Sequence, residues 1–249
     1  MAMDTTRYQW VDALRGLAMV WMTAYHLCFD LANVGLLQAN FYQDPRWTVQ
    51  RTCILSCFLL CAGAGQAIAL AQAQTWHRFV KRWLQIAACS MLVSASSYLT
   101  FPNSFIYFGV LQGMAVMLLI TRFVGPRGHW LWLLGAALIA LQWLAPWAIN
   151  AGWWDGALND KSLNWLGLIS AKPITEDYVP LVPWLGVMLW GMAAMQWVLN
   201  RHTAHALHQA DVPALRPLAF VGRWSLSYYM LHQPVMLGAL GLWQRGQGA

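Results

Sequence analysis

Long apolar stretches separated by shorter polar connections run along the chain from one end to the other. A run of about 20 mostly apolar residues is the length that an α-helix needs to cross the hydrocarbon core of a bilayer. Charged residues, Pro and Gly bound these runs, and the pattern predicts about seven membrane-spanning helices. The predicted spans cover 11–36, 52–72, 84–101, 105–122, 130–149, 180–199 and 217–243.

Two connections between the predicted spans are distinctive. The third span is short and runs directly into Phe101-Pro102-Asn103, which predicts a tight hairpin to the fourth span. The longest connection covers 150–179, and a loop of that length in a compact domain often carries function. We expect a single domain over residues 1–249.

Composition and charge favour a membrane protein. Hydrophobic residues make up 59% of the chain and charged residues 10%, whereas a soluble domain has about 25% charged residues. The formal net charge of +6 is therefore better explained by basic cytoplasmic segments than by nucleic-acid binding. Most Lys and Arg fall on one side if the N-terminus is cytoplasmic, so we expect an all-α transmembrane bundle in that orientation.

The first predicted span contains ionisable residues inside an apolar run. Asp12, Arg15, His26 and Asp30 lie within about 60° of one another on a helix, since each residue turns the chain by about 100°. A charged group near the bilayer centre costs about 3 kcal/mol on insertion scales, so such groups normally face a protein interior or wet cavity. This segment is predicted to be a retained first span rather than a cleaved signal peptide.

The spacing on this helix face predicts two separate functional positions, one at Arg15 and one at His26. Arg15 and His26 are about 16 Å apart along the helix axis. Near the cytoplasm, Arg15 can hold a phosphate in a forked geometry, with Asp12 orienting it. His26 can act as a general base on a hydroxyl or amine if Asp30 fixes its tautomer. The structural alternative is an Asp12–Arg15 ion pair at the helix start and a His26–Asp30 pair that holds helices together.

Several segments carry a resemblance to known membrane enzymes. The Arg-x10-His spacing of the first span resembles the signature of the acyltransferase-three family, which O-acylates surface sugars. The wider pattern resembles bacterial proteins with a heparan-α-glucosaminide N-acetyltransferase catalytic domain. That resemblance rests on Val-Asp-Ala-Leu-Arg-Gly-Leu-Ala at 11–18, Tyr-His-Leu-Cys-Phe-Asp-Leu at 25–31, and the segments 105–111, 177–186 and 222–234.

The resemblance implies an integral membrane acyltransferase of the bacterial inner membrane. Such an enzyme takes an acyl group, typically acetyl from cytoplasmic acetyl-CoA, and delivers it to a sugar hydroxyl or amine on the outer side. By the same likeness His26 is the catalytic base and Arg15 its indispensable partner. Acyl-CoA, a carbohydrate acceptor and the lipid bilayer are the expected partners, without nucleic acid, and a homodimer is compatible with the chain. No metal is expected, because a thiolate is already a good leaving group.

Other positions complete the predicted pocket. Ser225, Tyr229 and His232 share one helix face, with Gln233 beside them, and form either a second pocket wall or an ordinary contact to a neighbouring helix. Arg223 is either a positive-inside anchor or a contact for CoA phosphates.

Three further residues are weaker pocket candidates. Asp177 and Trp184 flank a Pro-rich return into the membrane, which shapes either the outer mouth of a pocket or only a loop-to-helix junction. Gln112 is the third.

Two rival functions remain open at this point. A proton-coupled transporter or flippase would use Arg15, His26 and Asp30 as a substrate path, and a non-catalytic assembly subunit would use none of them. Three histidines of a polar loop resemble a metal cluster, but their spacing and the lack of Cys disfavour a metal site: His202, His205 and His208.

Overall fold

The computed structural model describes residues 7–152, 156–201 and 212–247. Within these ranges the chain is helical and contains no strand, which confirms the predicted all-α class. The helices are α1 Gln9–Asn33, α2 Pro45–Ala71, α3 Trp76–Thr100, α4 Val110–Val124, α5 Trp130–Asn150, α6 Leu181–Leu199, α7 Arg216–Arg223 and α8 Ser225–Gln247. The candidate metal residues His202, His205 and His208 lie outside the described residues.

Four predicted spans differ from the helices that form. The predicted second and fourth spans start at 52 and 105, whereas α2 starts at Pro45 and α4 starts at Val110. The predicted third span starts at residue 84, whereas α3 starts at Trp76 and places the basic side chains of Arg78 and Lys81 in its first turns. An apolar window rejects charged residues, but a helix tolerates them where they are exposed. The predicted last span is two helices, because the backbone leaves the helical conformation at Trp224 (φ −97°, ψ 20°) between α7 and α8.

Three of the described helices are long and apolar enough to cross a membrane: α2, α5 and α6. Helix α4 is apolar but has only 15 residues. The remaining long helices carry more polar residues. The seven-span topology and the cytoplasmic N-terminus therefore stay predictions.

The chain divides into two compact units. The first comprises Met1–Phe58 and His205–Ala249, and the second comprises Leu59–Ala204. The first unit contains α1, the start of α2, α7 and α8. Its core is a set of buried apolar side chains from α1, α2 and the connection between them: Ala18, Met19, Met22, Tyr25, Phe41, Ile54 and Phe58.

The second unit is built on the α3–α4 hairpin and the α5–α6 pair. The Trp83 indole N–H donates to the Ala115 carbonyl oxygen at 2.8 Å, which fixes α3 against α4 as the predicted pair. The connection between them runs over 101–109 and is longer than the predicted tight turn. The connection that follows α3 pairs with the segment that precedes α6: Phe108 and Tyr178 form an isolated parallel bridge, and the Val179 N–H donates to the Phe108 carbonyl oxygen at 3.0 Å. These contacts close the long connection onto the hairpin.

Candidate functional site

A close crossing of α1 and α7 sets the geometry of the first unit. Gly16 and Gly222 lie where the two helices meet, and a Cβ added at Gly16 would collide with the Leu218 carbonyl oxygen. A Cβ at Gly222 would collide with the Asp12 carbonyl oxygen. Small residues allow two helix backbones to approach this closely. Since Arg15 and Arg223 are the chain neighbours of the two glycines, the crossing brings both arginines to one place.

Three guanidinium groups surround the buried carboxylate of Asp12. Arg15 Nη1 lies 3.2 Å from Asp12 Oδ1, and Arg7 Nε and Arg223 Nε lie 3.4 and 3.7 Å from Asp12 Oδ2. The Asp12 side chain is 8% exposed, whereas those of Arg7 and Arg223 are 57% and 48% exposed. Among the described residues, one negative charge thus faces three positive ones, and the side chains of Arg7 and Arg223 are open to solvent or to an anion. Arginine forks of this kind match phosphate oxygens.

The two histidines predicted from sequence lie side by side. The ring centroids of His26 on α1 and His232 on α8 are 5.4 Å apart. His232 Nδ1 lies 2.7 Å from the Tyr229 carbonyl oxygen, and its ring stacks nearly parallel to that of Tyr228, with an interplanar angle of 8°. The Tyr228 hydroxyl is bonded in turn to Thr23 Oγ1 at 2.8 Å. This chain of contacts fixes His232 on the face of α1 that carries His26.

Asp30 has a different partner from the one expected. Both of its carboxylate oxygens accept from Gln233 Nε2, at 3.0 and 3.1 Å, and the side chain is buried. The structure thus pairs Asp30 with Gln233 instead of His26, and an orienting role for Asp30 stays a prediction. The physical reason is that α8 places a side-chain amide within reach of both carboxylate oxygens.

The other predicted residues of α8 have simpler positions. Ser225 opens the helix and is half-buried, and Tyr229 contributes the carbonyl oxygen that contacts His232. Sequence reasoning missed Tyr228, Thr23 and the glycine pair. One signal for Tyr228 was available, because it precedes His232 by four residues and therefore shares its helix face.

Gln112 lies in the second unit and ties the α3–α4 hairpin together. Its Oε1 accepts from the Gly109 N–H at 3.1 Å. Its Nε2 donates to the Ser90 carbonyl oxygen at 3.0 Å and to Ser94 Oγ at 2.7 Å. All of these bonds join the Gln112 amide to other parts of the hairpin. A contact of Gln112 to substrate stays a prediction.

Asp177 and Trp184 also belong to the second unit. Asp177 Oδ2 accepts from the Val110 N–H at 2.7 Å, so it caps the N-terminus of α4 from a distant part of the chain. Trp184 lies half-buried in the first turns of α6. Their assignment to an acceptor pocket stays a prediction. Among the residues that the structure describes, no three His, Cys, Asp or Glu side chains gather into a possible metal site.

A comparison with known protein families shows the family to which the chain belongs. The sequence model of the family described as "Heparan-alpha-glucosaminide N-acetyltransferase, catalytic" matches residues 7–234. The chain belongs to this family. No curated protein and no solved structure matches the chain. Membership in a family of acetyltransferases, together with three span-length apolar helices, makes the chain a membrane protein with acetyltransferase-like activity. The match covers every described residue of the Asp12 cluster and of the histidine pair.

Proposed function

We propose that the chain is a multi-pass enzyme of the bacterial cytoplasmic membrane that moves an acetyl group from cytoplasmic acetyl-CoA to a sugar hydroxyl or amine on the outer side. The observation that carries this proposal is the arrangement on α1. One end of the helix holds the arginine cluster around Asp12, and the other end holds His26 beside His232. Family membership supports acetyl transfer, and the arrangement on α1 supports this helix as its proposed location.

The arginine cluster is the proposed donor end. Coenzyme A carries phosphate groups, and the positive charge in excess of Asp12 is concentrated on side chains that reach solvent. Asp12 holds Arg15 through an ion pair at 3.2 Å, which fixes the guanidinium beside the exposed side chains of Arg7 and Arg223. Arg223 is thereby assigned to phosphate contact, in addition to its position at the end of α7.

The histidine end is the proposed site of acyl transfer. The oxygen or nitrogen of the acceptor forms a bond to the acetyl carbonyl carbon while its proton moves to a nitrogen of His26. The carbon–sulfur bond then breaks, and the leaving thiolate of CoA takes a proton. Eleven helical residues separate Arg15 from His26, about 16 Å, so one extended donor molecule can contact both ends.

Calorimetric titration of acetyl-CoA into the detergent-purified full chain tests the donor end. We expect wild-type protein to bind with micromolar affinity and Arg15→Ala to bind about 10-fold or more weakly, since a charge-assisted contact is lost. Arg78→Ala is the matched control, because it removes one exposed positive charge from α3 in the second unit.

The two variants separate a specific site from general electrostatic attraction. Equal weakening in Arg15→Ala and Arg78→Ala would contradict a donor site at Asp12. Absence of acetyl-CoA binding to folded wild-type protein would contradict the proposed function as a whole and favour a transporter.

A further inference from the structure

The tautomer of His232 follows from its contact to the backbone. A carbonyl oxygen has no hydrogen and can only accept, so the 2.7 Å contact between His232 Nδ1 and the Tyr229 carbonyl oxygen requires the proton on Nδ1. In the neutral ring the other nitrogen, Nε2, then carries the lone pair. His232 therefore presents an acceptor, not a donor, on its far side.

Nε2 of His232 is buried and has no hydrogen-bond partner within the ranges that the structure describes. A buried polar atom without a partner is costly, so such an atom in a native protein calls for an explanation. The ring cannot turn away easily, because it stacks on Tyr228, whose hydroxyl is bonded to Thr23. The arrangement holds an unused acceptor in a fixed place.

The neighbour of that acceptor is His26. A centroid separation of 5.4 Å is close enough for a ring nitrogen of one imidazole to face a ring nitrogen of the other across a hydrogen bond after a small tilt. Asp30, the residue that would otherwise orient His26, has both carboxylate oxygens on Gln233. Gln233 Oε1 is a second buried acceptor without a partner among the described residues, but the ring that lies against His26 is that of His232.

We propose that His232 is the positioning residue of His26: its Nε2 accepts an N–H from one nitrogen of His26 and so leaves the lone pair on the other nitrogen for the acceptor substrate. This inference rests on the proposed function, in which His26 is the base. It gives to His232 the orienting role that a carboxylate has in other catalytic units.

The proton balance of the transfer step follows from this arrangement. The hydroxyl or amine of the acceptor loses its proton to the free nitrogen of His26 as its oxygen or nitrogen bonds to the acetyl carbon. His26 then carries hydrogen on both nitrogens, and its positive charge is stabilised by a charge-assisted hydrogen bond to His232 Nε2. When the carbon–sulfur bond breaks, the thiolate of CoA receives the proton and His26 returns to its neutral tautomer.

Nitrogen NMR of the full chain with ¹⁵N-labelled histidine tests the pair without substrate. The spectra are recorded well above the ordinary titration range of imidazole, and His26→Gln assigns the His26 signals. We expect His26 to occupy a single neutral tautomer in the wild type and both tautomers in His232→Phe, which keeps an aromatic ring against Tyr228 but removes Nε2. An unchanged His26 tautomer in His232→Phe would overturn the proposal.

Turnover of acetyl-CoA with glucosamine as the probe acceptor gives the second test. We expect His232→Phe to lower kcat by about 100-fold with KM little changed, because only the acid–base step is impaired. His232→Gln, which can offer an amide oxygen as acceptor, should recover at least about a tenth of wild-type kcat. His129→Gln, at an exposed histidine before α5, is the control and should match the wild type.

The outcomes separate this inference from the proposed function. Equal kcat losses in His232→Phe and His232→Gln would indicate a packing role for His232 and overturn the positioning role. A wild-type protein that transfers no acetyl group would contradict the proposed function, whereas the NMR comparison would still decide the relation between His26 and His232.

Discussion

Asp12 and Asp30 of the first unit differ from Asp177, Gln112 and Arg122 of the second unit in the kind of partner to which they bond. In the first unit, buried Asp12 pairs with arginine side chains and buried Asp30 pairs with a glutamine side chain. In the second unit, Asp177 accepts from a backbone N–H, Gln112 bridges backbone groups and a serine, and buried Arg122 donates to the backbone carbonyl oxygen of residue 74.

The difference indicates which polar groups are available for chemistry. A side chain bonded to distant backbone holds a loop or helix end in place, and replacing it exposes an unsatisfied backbone group. A side chain bonded to other ionisable side chains can exchange a partner for a ligand without opening the backbone. We therefore expect substitutions of the ionisable side chains on α1 to change activity more than stability, and substitutions of the backbone-bonded side chains in the second unit to do the reverse.

The largest expected effect is that of His26→Gln. We predict that acetyl transfer from acetyl-CoA to glucosamine falls by about 100-fold or more, since a positioned general base contributes about 10²–10⁴ to rate. The Tm in detergent should stay within a few degrees of the wild type. Trp83→Phe, which removes the indole donor to the Ala115 carbonyl oxygen, should instead lower Tm and leave kcat of the folded protein unchanged. Similar kcat losses in both variants would contradict the proposed difference between the two units.

The next effect concerns the crossing of α1 and α7. Gly222→Ala forces a methyl group against the Asp12 carbonyl oxygen, and we predict a loss of about 1–3 kcal/mol in the free energy of unfolding, as for other overpacked sites. Gly238→Ala in α8 is the matched control, because a Cβ there meets nothing within 4 Å. It should be neutral or stabilising by up to about 1 kcal/mol. Denaturant unfolding in detergent measures both, and equal responses would contradict the close crossing.

A smaller effect is expected at the distant cap of α4. Asp177→Ala removes the acceptor for the Val110 N–H, and we predict a loss of about 0.5–2 kcal/mol in the free energy of unfolding. Asp177→Asn keeps an acceptor oxygen and should recover most of the loss. If both variants unfold like the wild type but acceptor KM rises, Asp177 serves substrate rather than the fold.

The smallest effect is expected at the most exposed arginine of the cluster. Arg7 is 57% exposed, and an exposed ion pair contributes less than about 1 kcal/mol. Arg7→Ala should therefore change the free energy of unfolding by less than about 1 kcal/mol and weaken acetyl-CoA binding less than Arg15→Ala does. Titration of acetyl-CoA into both variants checks the order of the two losses. A larger loss in Arg7→Ala than in Arg15→Ala would place the donor contact away from the Asp12–Arg15 pair.

The apolar pattern of the chain predicts much of the fold. The all-α class and the α3–α4 hairpin follow from run length and from Phe101-Pro102-Asn103, because these features are local. The break at Trp224 does not follow, since an apolar window does not detect a change in backbone direction. The basic start of α3 was missed for the related reason that hydropathy and helix formation are different properties.

The sequence predicted which residues of the candidate site share a helix face, but not the hydrogen-bond partner of each side chain. Helical spacing on one chain segment placed Asp12, Arg15 and His26 on one face, and the structure pairs the first two. Whether Asp30 bonds to His26 or to Gln233 depends on how α8 packs against α1, and no local pattern contains that information. Contacts between residues so far apart in the sequence are set by tertiary packing and not by local pattern.

Acceptor-dependent release of the CoA thiol by the purified wild-type chain tests the central claim most directly. The protein is reconstituted in lipid vesicles with acetyl-CoA and either glucosamine or no acceptor, and free thiol is followed with time. We predict release that rises with glucosamine and is accompanied by acetylated sugar. Release that is the same with and without acceptor, or no release from protein shown to be folded, would contradict an acetyltransferase site on α1.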